Sequence, residues 1–381
     1  MESNKEEAIK ILSYNILAQS LICDSLYIAE EQVKNTDYLK EDYRINKIFE
    51  IIDNLHPDIC LFQEYEHNKK FEKKFKSDNY AYEILYKKRP GDHKEGCAIA
   101  YDTKKFYLDY YCALELRLEE KKNSYNNKYD YNNKYNYYTK KKNQSSNIYN
   151  KENVALFIFL HSYETNYYYL IICSHLLFNH TRGDIKLGQI YQIMQCALLF
   201  KEYYKDYHIT TIFGGDLNST PNSAIYEYIT SKSIDVEYMN KANLSGQKNE
   251  NYKTDVSFAD INYSWYNEII NTYPKFKNNL IVLKNKKNKK YYDYDYDKKK
   301  GLILENNFVM KSFYKEKNGK EPDMTSYSSN FKGTVDFLFY NTDLNLTINS
   351  VQNLPNISSD IPDKDNPSDH LPLFVEFNIK E

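Results

Sequence analysis

The sequence has no long run of apolar residues and no paired cysteine motif. No stretch approaches the roughly 20 apolar residues that a membrane-spanning helix needs, and the first residues, MESNKEEAIK, lack the basic and then apolar pattern of a secretory signal. The six cysteines include no C-x-x-C pair, which argues against a structural zinc site and favours reduced thiols. We therefore expect a cytoplasmic or nuclear protein that does not associate with membranes.

The chain also has little net charge. Lys and Arg number 51 against 53 Asp and Glu, so the formal net charge at pH 7 is -2. A protein that coats duplex nucleic acid usually presents a strongly basic surface. Any contact of this protein with nucleic acid must therefore be local.

Two segments differ in composition from the rest of the chain. Residues 119–153 are rich in Asn, Lys and Tyr, and residues 284–300 read KNKKNKKYYDYDYDKKK. Apolar, strand-like runs resume on both sides of each segment. We interpret both segments as solvated insertions in a single domain that spans residues 8–381, and not as domain boundaries.

Several short apolar runs share one feature, a polar residue near one end that can bind a metal ion or a phosphate. The runs are IKILSYN with Asn15, DICLFQE with Glu64, YYYLIICSH with His175, TTIFGGDLN with Asp216 and Asn218, and GTVDFLFY with Asp336. Strands would deliver these side chains to one rim. Between them, two apolar stripes with helical spacing begin at Ile45 and Ile190, and Pro221 suits the first turn of a third helix.

This pattern predicts the fold class. Strands are expected near residues 10, 60, 98, 157, 171, 213, 337 and 375, with helices between some of them. Such an order suits an α/β (α+β) fold, a four-layered αββα sandwich of two packed β-sheets flanked by helices.

Two short strings carry the strongest chemical signal, although each alone has a structural interpretation. In GGDLNSTP, Asp216 and Asn218 are two apart on an extended chain and would face one substrate, but an Asx-type turn uses the same residues. In PSDHLPL, Asp369 and His370 could supply a metal ligand beside a proton-transfer group, but a surface loop is the alternative.

Together these residues indicate a metal site. Converging carboxylates of Glu64, Asp216 and Asp336, with Asp369, would repel by about 4 kcal/mol per close pair at an effective dielectric constant near 20. A divalent cation relieves that repulsion, and oxygen ligands favour Mg²⁺, with Mn²⁺ as a substitute, over zinc. Sites of this kind hydrolyse phosphate esters.

The same residues, in this chain order, resemble the endonuclease/exonuclease/phosphatase superfamily. The strings LSYNILAQSL, PDICLFQE, EGCAIAYDTKKF, SHLLFNHTRGDIKLGQ, GGDLNSTP and PSDHLPL are similar to its deadenylase-like branch, which contains nocturnin, carbon catabolite repressor and Angel proteins. The resemblance covers nearly the whole chain outside the two insertions. SHLLFNHTRGDIKLGQ is most similar to the Angel group.

The resemblance implies a role for each residue. Glu64 would be the principal magnesium ligand, with Asn15 and Asp369 near the metal or a second ion. Asp216 would orient or deprotonate the attacking water, and Asn218 and His175 would hold the scissile phosphate. His370, oriented by Asp336, would stabilise charge on the phosphoryl oxygens.

The resemblance also implies a binding site for the substrate base. Relatives hold a 3′-terminal base between an aromatic residue and a proline, and the matching positions here are Phe331 and His180. His180 departs from the proline, which puts the strength of an adenine preference in doubt. Asn179 and Arg182, in the same string, are further candidate substrate contacts. Glu95 stands where relatives usually have Asp, with little expected consequence.

Four functions follow as hypotheses. The first is a 3′-5′ exoribonuclease that shortens single-stranded RNA, poly(A) in particular, and the second is a phosphatase for RNA ending in a 2′,3′-cyclic phosphate. A lipid or inositol phosphatase or an abasic-site endonuclease is less favoured by these strings. A non-enzymatic binding module is disfavoured because every expected metal and phosphate residue is present. Protein partners are not indicated.

Overall fold

The computed structural model describes most of the chain outside the two proposed insertions. The described residues are 7–22, 36–77, 80–116, 152–165, 167–236, 239–240, 244–247, 280–282, 303–328 and 331–380. Apart from residues 152 and 153, the insertions predicted at 119–153 and 284–300 lie outside this part of the chain. Their interpretation as solvated loops remains a prediction.

The strands are numbered here in chain order. They are β1 (Glu7–Asn15), β2 (Ile59–Glu66), β3 (Tyr82–Lys88), β4 (Glu95–Asp102), β5 (Phe106–Glu115), β6 (Val154–Ser162), β7 (Tyr168–His175), β8 (Ile209–Asp216), β9 (Ser233–Asp235), β10 (Leu280–Val282), β11 (Ile303–Glu305), β12 (Lys311–Ser312), β13 (Ser326–Tyr327), β14 (Lys332–Gly333), β15 (Asp336–Thr342), β16 (Asn345–Val351) and β17 (Leu373–Lys380). The α-helices are α1 (Glu41–Leu55), α2 (Lys69–Phe75), α3 (Gly183–Tyr203), α4 (Ala224–Thr230) and α5 (Phe313–Asn318). None of these helices is long and apolar enough to cross a membrane.

The long strands form two mixed sheets. One has six strands in the order β16-β17-β1-β2-β4-β3, and the other has seven in the order β10-β5-β6-β7-β8-β15-β12. In the first sheet β1 runs parallel to β2, and in the second β7 runs parallel to β8. The carboxyl ends of each parallel pair therefore lie at the same edge of their sheet.

Three apolar clusters hold the layers together. The cluster between the two sheets includes Ile11 and Leu61 from the first sheet and Leu156 and Ile212 from the second, all fully buried. Helices α1 and α2 pack on the outer face of the first sheet. Helices α3 and α4 pack on the outer face of the second. The arrangement is the predicted αββα sandwich.

The predicted elements are largely found. All eight expected strands are present, and α1 and α3 contain the two apolar stripes. The helix predicted to follow GGDLNST is present, but Pro221 is not in its first turn, which begins three residues later. Helix α4 begins at Ala224 because the Ser223 side chain accepts a hydrogen bond from the Tyr226 amide and caps the helix. Five of the cysteines lie in the described part of the chain, and they are buried and unpaired there.

Candidate active site

Strand ends from both sheets meet at one rim. In the second sheet His175 and Asp216 end the parallel strands β7 and β8 in register, and Asp336 begins the antiparallel strand β15 opposite Asp216. In the first sheet Asn15 ends β1. Its amide nitrogen donates to Asp216 Oδ2 at 3.1 Å, so this hydrogen bond joins the two sheets. The rim predicted from the sequence therefore exists.

Glu64 reaches the rim from an irregular strand. The register between β2 and β4 shifts between Phe62 and Tyr65, and Glu64 has a left-handed backbone with φ of 58°. Its carboxylate accepts hydrogen bonds from Asn15 Nδ2 and from the Ala18 amide, each at 3.0 Å. Burial, joined by the Asp369 carboxylate, raises the pKa of Glu64 to about 7. A strained backbone that aims a buried acid at a cleft is typical of a functional site.

His175, Asp216 and Asn218 form a hydrogen-bonded group beside Glu64. The Asn218 amide donates to Asp216 Oδ1 at 2.8 Å, and Asn218 Nδ2 lies 3.0 Å from His175 Nε2. Because an amide nitrogen can only donate, Nε2 accepts, and the proton of the neutral ring is on Nδ1. Burial lowers the pKa of His175 to about 4, although the Asp216 carboxylate opposes this, so the neutral form dominates at pH 7.

His370 and Asp336 form a second pair on the opposite side of Asp216. His370 Nδ1 lies 2.8 Å from Asp336 Oδ2, and His370 Nε2 lies 3.7 Å from Asp216 Oδ2. Burial alone would lower the pKa of His370, but the carboxylates of Asp336 and Asp216 outweigh it and raise the pKa well above its usual value. The structure therefore places a cationic imidazole, held by one carboxylate, against the site.

The donor set fits a divalent cation. In the described part of the chain, the Glu64 carboxylate lies 4.0 Å from His175 Nδ1. Because the His175 ring is neutral, this contact does not balance the negative charge of Glu64. Asp336 Oδ1 is buried without a hydrogen-bond partner in this part of the chain. Carboxylate oxygens of Asp216 and Asp336 also lie within 4.8 Å of one another. Buried carboxylates with unmet polar atoms are stabilised by a cation.

Two predicted ligands have distinct surroundings. Asn15 directs its amide nitrogen at Glu64 and Asp216, while its oxygen accepts from the Leu17 amide at 3.1 Å. In this orientation Asn15 bridges two carboxylates. Asp369 is half-buried next to His370 and is close enough to Glu64 to raise its pKa. Whether either residue binds a metal remains a prediction.

The predicted substrate residues lie in the segment after β7 and directly before β14. Phe331 is partly exposed and directly precedes β14, and His180 is exposed and accepts a hydrogen bond at its carbonyl from Ser245. The Asn179 side chain closes a turn by accepting from Thr181 at 2.9 Å. Arg182 makes a bidentate ion pair with the buried carboxylate of Asp184, so its guanidinium is already engaged.

Sequence reasoning missed three residues that brace the site. The Ser368 hydroxyl donates to the Asn15 carbonyl at 2.7 Å and accepts from the His370 amide. Arg44 of α1 is buried and donates to the carbonyls of Ile16, Leu17 and Pro367, which flank Asn15 and Ser368. Lys186 of α3 donates to the Asn218 carbonyl. The strings PSDHLPL and SHLLFNHTRGDIKLGQ contained Ser368 and Lys186, but neither residue type alone suggested a role.

Known proteins resemble this chain over most of its length. The model of the endonuclease/exonuclease/phosphatase family matches residues 12–370. Carbon catabolite repressor protein 4 homolog 3 of Arabidopsis thaliana is 28% identical over 388 residues, which cover 97% of this chain and 75% of the relative. Protein angel of Drosophila melanogaster is 29% identical over 244 residues, which cover 62% of this chain and 59% of the relative. The chain thus spans between about three-fifths and three-quarters of these proteins.

Solved structures share the fold. The crystal structure of ANGEL2, described as a 2′,3′-cyclic phosphatase, superposes with a TM-score of 0.70 at 21% identity, covering 98% of this chain and 95% of that one. The human Nocturnin catalytic domain gives a TM-score of 0.58 at 18% identity, covering 99% and 97%. The chain belongs to the endonuclease/exonuclease/phosphatase family, whose members generally depend on a divalent metal, in the branch of the carbon catabolite repressor and Angel proteins.

Proposed function

We propose that this protein is a Mg²⁺-dependent phosphodiesterase that acts at the 3′ end of single-stranded RNA, as a 3′-5′ exoribonuclease of the deadenylase type. One observation carries the proposal. Glu64, Asp216, His175 and the His370–Asp336 pair, from both sheets, are buried around one rim with unmet polar atoms. That set supplies both metal-binding carboxylates and groups that hold a phosphate.

Glu64 would hold the metal, with Asp369 and Asn15 beside it. Mg²⁺, or Mn²⁺ in its place, would supply Lewis-acid stabilisation of the negative charge on the phosphoryl oxygens. The side-chain oxygen of Asn15 accepts a hydrogen bond from the Leu17 amide. To bind the metal through this oxygen, the Asn15 side chain must first break that hydrogen bond. The carboxylates of Glu64 and Asp369 need no such change.

The other residues act on water and phosphate. Asp216 would orient the attacking water and accept its proton, since Asn218 and Asn15 fix both oxygens of its carboxylate. Asn218 and His175 would contact the scissile phosphate. The His370 imidazolium, fixed by Asp336, would stabilise the charge that develops on the phosphoryl oxygens. The attack is in line at phosphorus.

The assignment to RNA rests on the relatives and on local chemistry. The two relatives described above are a carbon catabolite repressor protein and an Angel protein. Phe331 is partly exposed and offers a ring on which a terminal base can stack, an interaction worth about 1 to 3 kcal/mol per base. The net charge of -2 is more consistent with recognition of RNA through a few local contacts than through a broad basic surface.

A second candidate activity is removal of a 2′,3′-cyclic phosphate from an RNA end. The string SHLLFNHTRGDIKLGQ favours it, and a structure of ANGEL2 is described in complex with adenosine-2′,3′-vanadate. The same rim suits either reaction, because both require attack of water on a phosphorus at the 3′ end of the RNA. In the exonuclease this is the last internucleotide phosphorus; in the phosphatase it is the cyclic phosphorus, whose two ester bonds are hydrolysed in turn.

Two labelled RNAs test the proposal and separate the candidates. Purified protein with Mg²⁺ is incubated with one RNA that ends in a 3′-hydroxyl A-tail and one that ends in a 2′,3′-cyclic phosphate. We expect a ladder of shortened A-tails. Loss of the cyclic phosphate at constant chain length would support the second candidate instead, and no change in either RNA would contradict both.

A further inference from the structure

Lys186 is a buried amine close to the site that has no part in the proposed reaction. It lies in the second turn of α3 with no exposed surface. Its Nζ donates to the backbone carbonyl of Asn218 and to Gln247 Oε1 at 2.7 Å. Burial lowers the pKa of Lys186 to about 7, and the Asp216 carboxylate opposes this. Burying an ammonium group is unfavourable, so a buried lysine with neutral partners needs a reason.

Asn218 supplies that reason, because its backbone is unusual. Its φ is 47°, a left-handed conformation that residues with a side chain rarely adopt, although asparagine does so more readily than most. Three sets of contacts hold it there. Asp216 Oδ1 accepts from its amide, the Leu176 carbonyl and His175 Nε2 contact its side-chain nitrogen, and Lys186 donates to its carbonyl.

Gln247 anchors the other side of the amine. It belongs to the short described stretch 244–247, which is tied to the segment after Asn218 by two backbone hydrogen bonds. The Thr220 amide donates to the Ser245 carbonyl at 2.8 Å, and the Ala224 amide donates to the Leu244 carbonyl at 3.0 Å. Lys186 therefore links α3, this stretch and the turn that carries Asn218.

We infer that Lys186 is a positioning residue that fixes Asn218, through its carbonyl, in the orientation that binds the substrate phosphate. The inference rests on the proposed function, in which Asn218 and His175 hold that phosphate. A purely structural lysine would stabilise the fold. A positioning lysine lowers stability through its burial and improves phosphate binding, so stability and phosphate affinity separate the two roles.

The test is Lys186→Met, which keeps a long, unbranched side chain and removes the amine. Calorimetric titration of inorganic phosphate in the presence of Mg²⁺ is expected to give a dissociation constant at least tenfold larger than that of the wild type. The dissociation constant for Mn²⁺ should stay within twofold, since Lys186 does not contact Glu64 in the structure. The Tm should not fall.

The matched control is Lys201→Met on the same helix. Lys201 is partly exposed and pairs with Asp343 at 3.0 Å. It lies near the end of α3, whereas Lys186 lies near the start. This variant should bind phosphate like the wild type. Gln247→Leu removes one of the two acceptors of Lys186 Nζ but keeps the amine, so we expect a smaller loss of phosphate affinity. The double variant should bind phosphate no more weakly than Lys186→Met alone, because both substitutions act through the Lys186 amine.

Three results would overturn the inference. Lys186→Met could bind phosphate as tightly as the wild type, or its Mn²⁺ affinity, phosphate affinity and Tm could all fall together, which would indicate a general structural role. If that variant does not fold, unchanged phosphate affinity in Gln247→Leu is decisive against the inference. Failure of the wild type itself to bind phosphate with Mg²⁺ would instead remove the proposed function, and the inference with it.

Discussion

Glu64 keeps its carboxylate in a setting that disfavours charge. It is 9% exposed, and its folded pKa is about 7 against an ordinary value of 4.5. Between these values the folded chain binds more protons than the unfolded chain, so the free energy of unfolding falls as pH rises through this range. Above pH 7 the ionised group lowers the stability of the metal-free protein by at most about 3 kcal/mol.

Glu64→Gln should therefore stabilise the metal-free protein in a pH-dependent way. We expect the Tm of the variant to approach that of the wild type near pH 4.5 and to exceed it at pH 8. Thermal unfolding in the presence of a chelator measures the difference. A constant difference between the two pH values would mean that Glu64 does not titrate as its burial implies.

Phe331→Ala tests base recognition. The ring is partly exposed, and its removal should lower the rate on A-tailed RNA by about 5- to 150-fold, the kinetic equivalent of about 1 to 3 kcal/mol of stacking. Hydrolysis of a short substrate without a terminal base should change little. Steady-state kinetics on both substrates provides the comparison. Equal losses on both would make Phe331 a structural residue.

Single residues differed in how well the sequence revealed them. Glu64, His175 and Asp216 lie near the ends of apolar runs, and Asp336 and His370 lie at or before the starts of others, so the convergence of these acids and imidazoles was predictable. Lys186 was not, because a lysine on a helix is usually solvated and nothing in its spacing indicates burial. The bridging orientation of Asn15 also depends on where two sheets meet, which one sequence does not specify.

Strands β7 and β8 place His175 and Asp216, and Gly215 permits their close pairing. A Cβ at Gly215 would lie 1.9 Å from the Ser174 carbonyl oxygen, so the backbone would have to move. Gly215 pairs with Ser174 across the two strands. Gly215 also directly precedes Asp216, the residue that acts on water in our proposal. The contact leaves no space for any side chain at position 215.

Gly215→Ala should accordingly lower both stability and activity. We expect a loss of about 1 to 3 kcal/mol in the free energy of unfolding, typical of overpacking, and at least a tenfold loss in kcat. Gly319→Ala is the control, since φ there is 78° but nothing lies within 4 Å. That variant should lose about 1 kcal/mol and keep its activity. Denaturant unfolding and RNA hydrolysis give both values, and full activity in Gly215→Ala would refute the argument.

The central strands were easier to predict than the edges. Strands such as β2 and β8 are buried over most of their length, and their continuous apolar runs are visible in the sequence. Strands β3 and β16 lie at the two edges of the first sheet and are mostly half-buried or exposed. Their polar and apolar residues mix, because solvent covers part of each strand, so no run marks them.

Across the whole chain, the packing of two sheets determines the architecture, and the rim between them determines the chemistry. The family model spans residues 12–370, on both sides of the proposed insertions. The sequence predicted the sandwich and the identity of the rim residues. It did not choose between two reactions at an RNA end, because both need the same attack on phosphorus and differ in contacts to the rest of the substrate.

The central claim is that the strand-end rim is a metal-dependent phosphodiesterase site. The most direct measurement is the rate of cleavage of A-tailed RNA as Mg²⁺ is varied, for the wild type and for Glu64→Gln. We predict cleavage that depends on Mg²⁺ in the wild type and falls by at least about 10³-fold in the variant, the order of loss expected when one group that stabilises the transition state is removed. Cleavage that is independent of Mg²⁺, or equal in the two proteins, would contradict the account.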